Sequence, residues 1–92
     1  MNTLLISYDL GEPESIEDYK RLFDYFKSYG SYAKPLYSVW FIKTNKDVSQ
    51  VRDDIIKVTD WNDRFIVLDV SDDNWATKGI SEKITNWMQK YL

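Results

Sequence analysis

Two short apolar runs, Leu4-Leu5-Ile6-Ser7-Tyr8-Asp9 and Tyr37-Ser38-Val39-Trp40-Phe41-Ile42, stand one helix length apart in this chain. Runs this short, rich in aliphatic and aromatic residues and bounded by Gly11, Pro13 and Pro35, read as strands packed on both faces. The first ends on a lone carboxylate. A strand buried that deeply has no packing reason to finish in Tyr8-Asp9, which makes its end the place to look for chemistry.

The segments between these runs alternate in kind. Ile16, Tyr19, Leu22, Phe23 and Phe26 recur at helical spacing behind Ser15, an N-cap with Asp18 three residues on, and the stripe stops at Gly30. Residues 31–44 read as a hairpin of two strands, with Pro35 at an edge or bend. Asn45 or Asp47 caps a second helix whose inward face is Val48, Val51, Ile55 and Val58. The turn Trp61-Asn62-Asp63 leads into a last strand, residues 64–70. This order predicts an α+β fold: a ferredoxin-like βαββαβ unit with a four-stranded antiparallel sheet, plus a C-terminal amphipathic helix. That helix is capped by Ser81 and carries Ile84, Trp87, Met88 and Tyr91 on one side. It has to cover the open face of the sheet or the same face of a second subunit. Leu22, Phe26, Ile6, Val39, Ile66 and Leu68 are the expected core. Trp40, Trp75, Trp87, Tyr25 and Tyr29 look like more aromatic bulk than one small protomer hides.

The 92 residues form a single domain, residues 1–92, able to bury roughly 60–65% of the surface of its unfolded chain. Composition narrows the chemistry. With no Cys and no His, thiolate and imidazole nucleophiles, bases and metal ligands are excluded. Gly11, Gly30 and Gly79 lie too far apart for a phosphate loop. Catalysis would have to rest on carboxylates, hydroxyls, lysines or a hard metal. A net charge of −3 disfavours general nucleic-acid binding, although Lys20, Arg21, Lys27 and Lys34 offer a local basic set. No signal-peptide pattern and no run near the ~18 apolar residues of a membrane span are present, so a cytoplasmic protein without a membrane partner is expected.

Strand alternation puts Leu4, Ile6 and Tyr8 on one face and Leu5, Ser7 and Asp9 on the other. The antiparallel last strand then brings Asp63 and Arg64 to Asp9 and carries Asp69 to the opposite rim. The plain reading of Asp9 is a turn residue bonding Leu10-Gly11-Glu12-Pro13. The chemical reading is a metal ligand, which one carboxylate cannot satisfy unless a two-fold axis supplies a second.

The strand ending Ser7-Tyr8-Asp9-Leu10, the helix closing at Tyr29-Gly30 and the strand Tyr37-Ser38-Val39-Trp40 resemble, in order and spacing, a known family. This is the small second core CRISPR-associated (Cas) protein of the spacer-acquisition machinery. The virulence-associated protein D toxins share its fold and strand-end Asp. The resemblance covers residues 3–70. It implies a homodimer in which Asp9 of each protomer holds Mg²⁺ or Mn²⁺, with Tyr8 and Ser38 near the site. Some members are metal-dependent nucleases acting on RNA or DNA, and others serve as scaffolds. The expected activity is therefore endonuclease hydrolysis of phosphodiesters, with Asp9, Tyr8 and Ser38 catalytic and Lys34 and Arg21 guiding the nucleic acid. The alternative is a non-catalytic dimeric scaffold or protein-interaction module. Three departures stand out: a single basic residue in Ala33-Lys34-Pro35, the acidic balance, and a helix where members carry a further strand.

Overall fold

In a computed structural model describing residues 1–92, seven elements follow one another: β1 (Asn2–Asp9), α1 (Ile16–Lys27), β2 (Tyr32–Leu36), β3 (Val39–Thr44), α2 (Val48–Ile56), β4 (Arg64–Asp69) and α3 (Glu82–Tyr91). The sheet order is β2-β3-β1-β4, with every neighbouring pair antiparallel. This is the expected ferredoxin-like arrangement with a C-terminal helix.

Capping chemistry sets where the first two helices start. Ser15 accepts from the Asp18 N–H while the Asp18 carboxylate accepts from the Ser15 N–H. Asp47 and Gln50 make the same reciprocal pair for α2. Both helices lie on the face that Leu4, Ile6 and Tyr8 present. There Leu22 and Phe26 of α1 and Val51 and Ile55 of α2 close over those strand residues, Trp40 and Ile42. Ile16, placed by its spacing on the inward stripe, is instead 83% exposed. It is the first residue of α1 and precedes the turns that pack on the sheet through Tyr19, Leu22, Phe23 and Phe26.

The opposite face holds a second, smaller core. Register aligns Ala33, Phe41, Leu5 and Leu68 in one row across the four strands. α3 lies over this row with Met88 buried and Ile84, Trp87 and Leu92 packed around it. Trp87 stacks on Phe41 at 5.9 Å, and its indole N–H donates to Ser31 Oγ at 3.3 Å. The buried Thr3 hydroxyl donates to the Tyr91 carbonyl at 2.8 Å, occupying one of the acceptors a helix end leaves free. Cover is incomplete over the next row, Leu36, Val39, Ser7 and Ile66: Val39 and Ser7 are half-buried, and the segment 76–80 borders Leu36 and Val39. Ile66 and Leu68, expected in the core, are 60% and 49% exposed. The reason is placement: α3 packs over β2, β3 and β1 and leaves the outer strand β4 bare.

Most of the surplus aromatics are absorbed within the protomer. Trp40 is buried, Trp87 of α3 packs onto the sheet, and Tyr25 and Tyr29 are half-buried against the first core. The Tyr25 hydroxyl meets that of Tyr29 and donates to Asp54 Oδ2 at 3.2 Å, while Lys46 donates to the same oxygen at 2.5 Å. Burial is the main force pushing both phenols above the usual 10.0. A raised folded pKa contributes stability that is fully present below the unfolded value and lost as pH rises through the folded one. The thermal midpoint should therefore fall once pH passes the ordinary tyrosine range. Tyr25→Phe, which cannot ionise, should flatten that alkaline decline in a melting series. An unchanged slope would mean that other groups cause it.

Candidate functional site

Because β1 is antiparallel to both β3 and β4, the end of β1 shares one rim with the starts of its two neighbours. Asp9 pairs across the sheet with Arg64, whose guanidinium donates to its carboxylate at 2.7 Å. The two side chains are 71% and 81% exposed. An ion pair this open contributes only about 0–1 kcal/mol, so it restrains Asp9 weakly. Ser7, Tyr8, Asp9, Arg64, Phe65 and Ile66 line a shallow hollow of about 410 Å³ here.

The turn role weighed for Asp9 belongs to Asp63. One Asp63 oxygen accepts from the Gly11 N–H at 2.7 Å and the other from the Asp60 N–H at 2.7 Å. Asn62 adds a bond from its amide to the Glu12 carbonyl at 2.8 Å. Gly11 permits this approach, since a Cβ there would lie 2.3 Å from Asn62 Cγ. The β1–α1 loop and the α2–β4 turn are thereby locked together, leaving Asp9 free of both.

Tyr8 and Asp9 are adjacent in sequence but lie on opposite faces. The Tyr8 ring joins the helix-side core, and its hydroxyl donates to the Tyr37 carbonyl at 3.1 Å. Burial pushes this phenol up, with the nearby Trp40 indole N–H opposing the shift. That N–H lies outside hydrogen-bond geometry and is left without an acceptor. Ser38, in the turn between β2 and β3, takes part through its backbone: its carbonyl accepts from the Tyr8 N–H at 3.2 Å. Lys34 lies on the helix side, its ammonium 4.6 Å from the Phe23 ring centroid and 5.2 Å from that of Tyr37. Arg21 is held by Asp18 on its own helix at 2.6 Å. The rim therefore gathers Asp9, Tyr8 and Ser38 along the backbone while pointing their chemistry in different directions. Lys34 and Arg21 contact other partners.

A single protomer does not fit Mg²⁺. The ion demands near-octahedral oxygen coordination. Here one carboxylate stands against a guanidinium, and no three His, Cys, Asp or Glu side chains converge anywhere in the chain. Asp69 sits at the far rim opposite Leu4, bonded to Ser71. Trp61, placed by the sequence in a turn but in no site, is 95% exposed in that braced turn at this end of the sheet. A tryptophan flanked only by Asp60, Asn62 and Asp63 was the available signal. No family model matches this chain, and no solved structure matches it.

Proposed function

We propose that the protein works as a homodimeric scaffold, in keeping with its resemblance to the CRISPR-associated adaptation protein. The observation that carries this reading is the incompletely covered row Leu36, Val39, Ser7 and Ile66, whose ends Leu36 and Ile66 are 57% and 60% exposed, beside the α3-covered row. An apolar strip next to a covered one on the same sheet face suits a self-complementary contact about a two-fold axis. Sedimentation at micromolar concentrations tests it; a monomer throughout would end the reading.

A second reading, a metal-dependent endonuclease, is favoured by one fact. Asp9 lies on the same face as that row, so a two-fold axis beside it would add the partner's carboxylate to the rim. Bound Mg²⁺ would supply an activated water and neutralise phosphate charge. Asp9 would hold it, and Arg64 would be free to turn towards an anionic backbone. The test combines Mn²⁺ titration with cleavage of labelled RNA and DNA. Under this reading saturating metal raises the melting midpoint of wild type, and Asp9→Asn abolishes both that shift and cleavage. Equal shifts and equal cleavage in the two proteins would leave the scaffold reading alone.

A further inference from the structure

Trp61 separates itself from the other three tryptophans. Trp40 is 3% exposed, Trp75 lines a hollow against α3, and Trp87 stacks on Phe41. Trp61 is 95% exposed, yet its turn is among the best-braced loops of the molecule. Asp63 takes backbone N–H groups from both sides of the junction, and Asn62 ties the turn to Glu12. Water-exposed indole is unfavourable surface, and a rigid support means that little order has to be created when it is covered. Large aromatics held in advance on a fixed backbone are the usual anchors of protein interfaces.

Charge around the anchor selects what covers it. Glu12 and Asp60 are exposed and pair with no cation, whereas Glu14 is turned to the Tyr19 hydroxyl on α1. Against them stand Arg64, already engaged with Asp9, and the exposed Lys57. The indole face attracts ammonium and guanidinium groups more strongly than any other aromatic side chain does. We infer that the β1–α1 loop and the α2–β4 turn form a docking surface for a Lys/Arg-rich segment of a partner protein. One cationic side chain covers the Trp61 indole, and its neighbours meet Glu12 and Asp60. This surface includes none of the residues of the row Leu36, Val39, Ser7 and Ile66, so the inference does not depend on the dimer reading. The same carboxylates repel a polyanion and exclude a nucleic-acid strand as its occupant.

The test titrates the full-length protein with an arginine-rich peptide, a glutamate-rich peptide of equal length, and a single-stranded oligonucleotide. Amide chemical shifts report the site. The arginine-rich peptide should perturb residues 11–14 and 60–63 and weaken steeply with salt, and the other two probes should not. Trp61→Ala should weaken binding at least tenfold. Glu12→Gln with Asp60→Asn should weaken it several-fold and reduce the salt dependence. Trp61 makes no core contact, so its variant should melt like wild type. Equal peptide binding by wild type and Trp61→Ala would overturn the proposal. So would Trp61-dependent binding of the oligonucleotide, or a Trp61→Ala protein whose only defect is a lost dimer.

Discussion

Phe26→Ala should lower the free energy of unfolding by about 3–5 kcal/mol, the usual cost of removing a fully enclosed aromatic ring. Phe26 is 0% exposed, with ring centroids of Trp40, Tyr25 and Tyr8 lying 5.2, 6.0 and 6.1 Å away. These rings belong to α1, β3 and β1, so the void cannot close without moving three elements. Against the roughly 5–15 kcal/mol that holds a small domain together, such a loss is severe. In urea the midpoint should fall while the slope stays constant. Ile16→Ala is the control: at 83% exposure it should change stability by no more than about 0.5 kcal/mol. Reversed results would place the buried stripe of α1 on the wrong side.

Where one periodicity met one layer, the fold was legible. Leu22 and Phe26 stand three and seven residues beyond Tyr19, and the core closes on both. Capping pairs Ser15–Asp18 and Asp47–Gln50 are local chemistry, readable without any tertiary partner. The pairing of Asp9 with Arg64, and the separation of Asp9 from Asp69, followed from strand direction alone. Alternation along β4, by contrast, marks both faces as apolar: Phe65 and Val67 on one, Ile66 and Leu68 on the other. It cannot say which of two covers extends that far. α1 and α2 half-bury Phe65 and Val67. α3 never reaches Ile66, because its ten residues lie over strands nearer the other edge.

The site was legible in its position and not in its chemistry. Asp9 stands at the rim where strand counting puts it, yet its company is set by side-chain direction. Period-two alternation already separates Tyr8 from Asp9, so a shared catalytic role for the two would need contact around the sheet edge. The Tyr8 hydroxyl donates to the Tyr37 carbonyl instead. Arg64 supplies the one charge that faces Asp9, and it neutralises the carboxylate rather than adding a ligand. The exposure of Trp61 was illegible for a related reason: a hydrophobic residue in a turn carries no periodicity to mark which way it faces.

Ile66→Glu separates the protomer from its assembly, with opposite expectations for each. At 60% exposure on the outer strand, Ile66 contributes little to the protomer's own core. Its substitution should therefore leave urea stability, measured where the protein is monomeric, within about 0.5 kcal/mol of wild type. In the proposed dimer Ile66 lies at the exposed end of the incompletely covered row with Ser7, Val39 and Leu36. A two-fold axis passing beside Ile66 and Asp9, as the paired-carboxylate site requires, brings the two copies of position 66 towards one another. Two new carboxylates would then meet in a contact without water, and like charges placed face to face cost several kcal/mol. The dimer dissociation constant should rise by about a hundredfold or more, which corresponds to roughly 2.7 kcal/mol. Ile66→Lys should do the same through repulsion of the opposite sign. Mixing the two variants should restore dimers, because the charges then attract across the axis. No steric or folding defect can reproduce that rescue. If wild type is dimeric and both variants stay dimeric alone, the contact lies elsewhere on the molecule. The paired-Asp9 metal site would fall with it, since Asp9 shares the Ile66 face and depends on the same axis for its second carboxylate.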